Sequence, residues 1–194
     1  MMSTTMRLVT EDDAPRILEI YAPIVRETVI SFEYEVPDEN EMRQRIRGKL
    51  EHGYPWLVME RDDLLLGYAY AGRWRDRAAY DWTVETTIYV NSAARRGGVG
   101  RTLYKTLFDV LRLQGFVQAV AGVTLPNDAS VGLHQAVGFI PTGTTHNAGY
   151  KFGGWHGVAF FELNLQTPPD VPVPTRDVAT LVGTEEWKSI VFSR

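Results

Sequence analysis

Chemistry concentrates in one stretch of the 194-residue sequence, from Thr86 to Gln114. At its centre stand Arg95-Arg96-Gly97-Gly98-Val99-Gly100-Arg101. Ahead of them, Thr86-Thr87-Ile88-Tyr89-Val90 is wholly β-branched or aromatic and reads as a strand. Behind them, Val99, Leu103, Leu107, Val110 and Leu111 place apolar residues at helical spacing. Strand, glycine-rich turn and helix in this order leave several backbone N–H groups free at one point, backed by the positive end of the helix dipole. Glycine lets the backbone approach a bulky anion, and Arg95 and Arg96 add mobile positive charge. The chemistry predicted is a phosphate seat. Two kinds are excluded by spacing: no lysine follows the glycines as a Walker loop requires, and Gly98-Val99-Gly100 lacks the third glycine of G-x-G-x-x-G.

To hold such a seat the chain must supply a sheet and the helices that cover it. Met6–Thr10 reads as a first strand, with Thr10 as N-cap, Asp13 three residues on, and Ile17, Ile20, Tyr21, Ile24 and Val25 as one helical face. Thr28–Glu35 reads as extended or loop, and Pro37-Asp38 opens a second, very polar helix through Glu51. Pro55–Glu60 and Leu64–Ala71 are strands joined by a hairpin at Arg61-Asp62-Asp63. An arginine-rich connector, Gly72–Tyr80, leads into a third strand, Asp81–Val90. After the central helix come a buried strand at Val117–Thr124, a helix at Ala129–Val137 ended by Gly138, and strands at Ile140–Thr145 and Val158–Leu165. This order predicts an α/β protein of α+β type, a mixed central sheet with helices on both faces. Residues 1–165 form that domain, and residues 166–194 a Pro-rich extended arm and tail. The tail carries Trp187, Ile190, Val191 and Phe192, apolar enough to dock on its own domain or on a second subunit.

Composition narrows the function. Net charge is −4 with no basic cluster beyond Arg95-Arg96, which argues against nucleic acid. The absence of cysteine removes disulfides, thiolate catalysis and cysteine–zinc sites. His52, His134, His146 and His156 show no metal spacing, so no metal is expected. No apolar run approaches the ~18 residues of a membrane span, and Glu11-Asp12-Asp13 is unlike a signal peptide, so no membrane partner is expected and cytoplasm is the expected location.

Arg95-x-x-Gly98-x-Gly100 after a strand resembles the pyrophosphate signature [QR]-x-x-G-x-[GA] of the GNAT acyltransferases, which hold acetyl-coenzyme A. Further segments resemble one branch, the phosphinothricin N-acetyltransferases: Tyr68-Ala69-Tyr70-Ala71-Gly72, Ala79-Tyr80-Asp81-Trp82-Thr83-Val84-Glu85, Leu125-Pro126-Asn127-Asp128, Leu133-His134-Gln135-Ala136-Val137-Gly138-Phe139, and Ala148-Gly149-Tyr150-Lys151-Phe152-Gly153-Gly154-Trp155-His156. The resemblance covers roughly residues 5–165 and implies the GNAT fold, with acetyl-CoA as acetyl donor and a small amine as acceptor. A homodimer is expected.

It also implies roles. Glu85 matches the glutamate that serves as base, as amine acylation requires. Its neighbours on that strand face are expected to be buried. His134 matches a catalytic histidine, with proton relay and structural packing as its two open roles. Tyr104, early in the coenzyme-binding helix, is placed to protonate the leaving thiolate or to fill the core. Ile88, Tyr89, Val90 and residues Arg95, Arg96, Gly97, Gly98, Val99, Gly100 and Arg101 are the expected coenzyme contacts. Asn127 is either a further contact or an N-cap. Phe32, Trp74, Arg75, Arg77 and Tyr80 are the expected acceptor contacts, the arginines gripping an anionic group. Glu33 stands where the herbicide-detoxifying members carry arginine, so Glu33→Arg is expected to favour phosphinothricin. Methionine sulfoximine, its sulfone or a dipeptide is the alternative acceptor, and a non-catalytic acetyl-CoA-binding module is the alternative from another class.

Overall fold

The computed structural model describes residues 4–191. One seven-stranded sheet contains β1 (Thr4–Leu8), β2 (Trp56–Arg61), β3 (Leu64–Arg73), β4 (Thr83–Val90), β5 (Gln118–Thr124), β6 (Ile140–Lys151) and β7 (Gly154–Asn164). Their order is β1-β2-β3-β4-β5-β7-β6, antiparallel throughout except for the parallel pair β4–β5. Helices α1 (Ala14–Glu27) and α2 (Glu39–Glu51) cover one face; α3 (Val99–Gln114), α4 (Asp128–Ala136) and α5 (Glu185–Val191) cover the other. This is the predicted α+β arrangement. Among the described residues no helix is long and apolar enough to cross a membrane, and no group of three or more side chains is placed to hold a metal ion.

Local chemistry explains most element ends. The β1 strand stops at Leu8, two residues earlier than predicted, because Thr10 is used as a cap: Asp13 Oδ2 accepts from the Thr10 N–H at 2.8 Å and from Arg7 at 2.7 Å. Ile17, Ile20, Tyr21, Ile24 and Val25 of α1 are all buried, as their spacing requires. Asp38 starts α2 by accepting from Glu41 N–H at 2.8 Å. Asp62 and Asp63 both take left-handed backbone, φ 47° and 66°, the geometry of a tight two-residue hairpin.

Phe152 and Gly153, at φ 49° and 78°, turn in the same way and correct the reading of the late strands. β6 and β7 run to either side of that turn, far beyond the predicted Ile140–Thr145 and Val158–Leu165. β6 is an edge strand exposed along nearly its whole length and breaks register between Thr145 and Gly149, so it shows no alternation.

The arm after Gln166 is strapped to the domain. Trp82 Nε1 donates to Val173 O at 2.7 Å, and Gln114 Nε2 donates to Gly53 O and Arg176 O at 2.8 and 2.7 Å. Val178, Leu181, Trp187 and Val191 then bury themselves in the core on the α3 side. Phe192, the last apolar residue of the predicted tail, lies outside the described residues.

Candidate active site

The central feature of the sheet is where it opens. β4 and β5 pair only through Thr83–Gln118, Val84–Ala119 and Glu85–Val120, and then part. On their far sides β3 holds β4 to Val90, and β7 holds β5 to Thr124. A wedge is left whose two edges carry backbone groups free of strand partners. Residues 86–89, Tyr104, Thr124, Asn127 and His134 line a space of about 60 Å³ within it.

At the wide end of the wedge lies the predicted phosphate seat. Gly98 is the N-cap of α3 at φ 81°, two residues after Arg96 at φ 62°, and no side chain caps the first turn. A Cβ on Gly98 would meet nothing within 4 Å, so backbone conformation is what requires glycine there. Gly100 has a different reason: its Cβ would lie 2.9 Å from Leu133 Cδ2, so it allows α3 to press against α4. Val90 completes that contact. Arg95 and Arg96 are exposed and form no ion pair among the described residues, whereas Arg101 donates to Ala136 O at 3.1 Å. Asn127 caps α4 by accepting from Ser130 N–H at 3.2 Å.

On the α3 side of the wedge, Tyr104 Oη and His134 Nε2 are 2.8 Å apart, both residues buried. Ser130 O lies 2.7 Å from His134 Nδ1, and a carbonyl only accepts, so Nδ1 carries the proton and neutral Nε2 accepts from the phenol. Burial lowers the His134 pKa, partly offset by that carbonyl, and keeps the ring neutral. Burial also raises the Tyr104 pKa, although the nearby Thr86 hydroxyl opposes it. The phenol therefore stays protonated at any physiological pH.

On the opposite face, beneath α1 and α2, a cleft of about 690 Å³ has an aromatic floor of Tyr21, Trp56, Tyr68, Tyr70 and Tyr89. Trp56 stacks on Tyr70 with ring centroids 4.4 Å apart, and Tyr21 meets Tyr89 edge-on at 5.2 Å. The floor follows from strand register: Tyr68 and Tyr70 face Tyr89 and Thr87, all on one side of the sheet. Glu85, two residues before Thr87, shares that side and is the last residue of β4 paired to β5. It thus stands at the apex of the wedge toward α2, while Thr86 beside it faces Tyr104.

The expectation that its strand neighbours are buried is corrected. Glu85 is exposed, and Thr83 and Thr87 are half-buried. Protein around the carboxyl still raises its pKa through desolvation, which Lys49 partly offsets.

None of the five expected acceptor contacts is among the residues lining this cleft. A Cβ on Gly149 would come within 2.5 Å of the Phe32 ring, so Phe32 packs on β6. Trp74 and Tyr80 meet edge-on at 5.1 Å, with the Arg75 guanidinium 4.5 Å from the Trp74 ring. Arg77 is exposed at the entry to the turn Ala78–Tyr80. The connector lines the cleft with Arg73 and Asp76 instead. Glu33 does line it, but accepts from Tyr21 Oη at 2.9 Å and from Arg45 at 2.8 Å. An arginine at position 33 would face Arg45 and leave Tyr21 Oη without this acceptor.

Arg45, Lys49 and, Tyr89 apart, the aromatic floor are not among the expected contacts. The i,i+2 spacing of Tyr68 and Tyr70 was a usable signal for the floor; Arg45 and Lys49 look like ordinary charges on a polar helix.

The acetyltransferase (GNAT) domain model matches residues 6–158. The chain is 40% identical over 176 residues to the phosphinothricin N-acetyltransferase of Streptomyces viridochromogenes, spanning 91% of this chain and 95% of that one. It is 47% identical over 154 residues to the phosphinothricin N-acetyltransferase of Alcaligenes faecalis, spanning 78% and 77% of the two chains. The crystal structure of a GNAT-superfamily phosphinothricin acetyltransferase from Sinorhizobium meliloti, in complex with acetyl-CoA, superposes with a TM-score of 0.82 at 33% identity, covering 89% of this chain and 97% of that one. The chain belongs to the GNAT acetyltransferases, in their phosphinothricin N-acetyltransferase-like branch, and is an N-acetyltransferase.

Proposed function

We propose that the chain moves the acetyl group of acetyl-CoA to the amino group of a small amino acid or analogue of the phosphinothricin type. The observation that carries this reading is the two-sided apex: Glu85 lies on the α2-side face of β4, opposite Gly72 and within electrostatic reach of the cleft residue Lys49, and the Tyr104–His134 pair borders the α3-side wedge. Acetyl-CoA enters with its pyrophosphate on the free N–H groups of the Gly98 turn, under Arg95 and Arg96. Its arm runs along the unpaired edge of β4 from Val90 through Ile88, which brings the thioester to the apex. The acceptor enters from the aromatic cleft, with the connector carrying Arg75 and Arg77 at its margin.

The steps then divide between the two faces. The amine arrives protonated, and Glu85, directly or through a water, takes that proton; a carboxylate with a raised pKa is the better base. The amine nitrogen bonds to the thioester carbon and, as the carbon–sulfur bond breaks and the sulfur leaves as thiolate, gives up its second proton to water, which returns a proton to Tyr104 once the phenol has protonated the sulfur. Tyr104 holds a proton toward His134 Nε2, and rotation about its C–O bond presents that proton to the sulfur. Positioning the two reactants supplies the rest of the acceleration.

The Arg45–Glu33 pair favours a second acceptor class. It consumes one cleft cation, so a neutral polar side chain such as a sulfone or sulfoximine suits the aromatic floor. A panel of free amino acids and analogues, screened for thiol release from acetyl-CoA, tests both. Release with none of them, in a protein that binds acetyl-CoA, would leave only the non-catalytic module.

A further inference from the structure

Lys49 is the cleft cation without a partner. Three other basic side chains line the cleft: Arg45 pairs with Glu33 and Glu41, Arg73 pairs with Asp81, and the His52 ring bonds to Gly48 O. Among the described residues, Lys49 has no hydrogen bond and no ion pair within 4 Å, only the Tyr70 ring with its centroid 5.5 Å from Nζ. Its position is set by a vacancy. Gly72 has no side chain, and Lys49 Nζ lies 2.1 Å from where its Cβ would be. Gly72 is the direct antiparallel partner of Glu85. Opposed side chains in such a pair start ~4.5–5.5 Å apart on the same face. The ammonium therefore sits at Glu85's side without closing a salt bridge on it.

We infer that Lys49 holds the α-carboxylate of the acceptor amino acid while its α-amine faces Glu85. The inference rests on the proposed reaction and adds what the acceptor must carry. In an α-amino acid, nitrogen and carboxylate branch from one carbon, so a base and a cation must stand side by side to meet both. Gly72 opposite Glu85 provides that arrangement. An amino acid carboxylate would give the ammonium the acceptor it lacks in the free protein, a charge-assisted bond in a partly desolvated place. The connector arginines are then left for a distal anionic group. It follows that this enzyme selects α-amino acids over amines of the same side chain.

The test compares kcat/KM for a free amino acid substrate found in the thiol-release screen with that for its α-carboxamide. Wild type should favour the acid by about 10- to 150-fold, the range of a hydrogen bond to a charged group. Lys49→Met keeps the aliphatic stem and should pull that ratio toward one; Lys49→Arg should keep most of it. Gly72→Ala, which puts a methyl where Nζ stands but leaves the charge, should also shrink the ratio. Equal loss on acid and carboxamide in both Lys49→Met and Gly72→Ala, with unchanged thermal unfolding, would overturn the role. So would a wild type that does not distinguish the two. Absence of turnover on every amino acid would instead refute the proposed reaction itself.

Discussion

Replacing Glu85 by glutamine keeps the shape of the side chain at the apex and removes its capacity to accept a proton. If Glu85 is the base, turnover should fall by ~10² to 10⁴, the usual worth of a general base. That corresponds to about 2.7 to 5.4 kcal/mol of barrier. Acetyl-CoA affinity should hardly change, because the proposed coenzyme contacts lie farther along β4 and in the Gly98 turn. Stability should move the other way. Desolvation raises the Glu85 pKa by more than Lys49 lowers it. A carboxyl whose folded pKa lies above its unfolded value, ~4.3, favours the folded state most below that value. Its contribution is lost as pH rises through the folded pKa. The neutral glutamine escapes this loss, so the variant should melt higher than wild type at pH 7.5, and the difference should vanish near pH 4. The assays are kcat between pH 6 and 9, calorimetric acetyl-CoA binding, and thermal unfolding at both pH values. Normal turnover across the whole range would remove Glu85 as base and leave the Tyr104–His134 pair as the proton acceptor.

Tyr104→Phe strips His134 Nε2 of its buried donor, a cost of ~1–3 kcal/mol; at ~2–4 °C per kcal/mol for a domain of this size the midpoint should drop by about 2 to 12 °C. Turnover should fall with it while acetyl-CoA binding persists, as stopped assays and calorimetry will show. Gly98→Asp should abolish acetyl-CoA binding, whereas Gly98→Asn, which bears the same left-handed strain without charge, should weaken it far less; equal loss in both would mean the turn's shape alone matters. Glu33→Arg should worsen rather than improve the KM for phosphinothricin, because it sets two guanidinium groups together and costs Tyr21 its acceptor. Adding Arg45→Glu should restore the pairing and reverse the loss.

Legibility in the sequence followed the distance over which each feature is encoded. The glycine turn that opens α3, the Thr10–Asp13 cap and the hairpin at Asp62-Asp63 are each written within a few residues, so composition and spacing sufficed. Even there, pattern and cause diverged: Gly98 and Gly100 look alike in the motif, yet one answers to φ and the other to Leu133. Tyr104 and His134 are 30 residues apart, and nothing in the sequence pairs them. Lys49 had no signal at all, since its neighbourhood is made by α2 crossing the register pair of Gly72 with Glu85. The wedge is the deepest case. Thr86–Val90 has the composition of a fully paired strand, and nothing in those residues says that β5 pairs with β4 only as far as Glu85. The same parting that frees the backbone for an acyl donor also puts Glu85 and Thr86, adjacent in sequence, on opposite sides of an opening. A sheet paired to its end would keep the proposed base and the Tyr104 proton in separate compartments; because β4 and β5 part, the proposed reaction lets one thioester reach both.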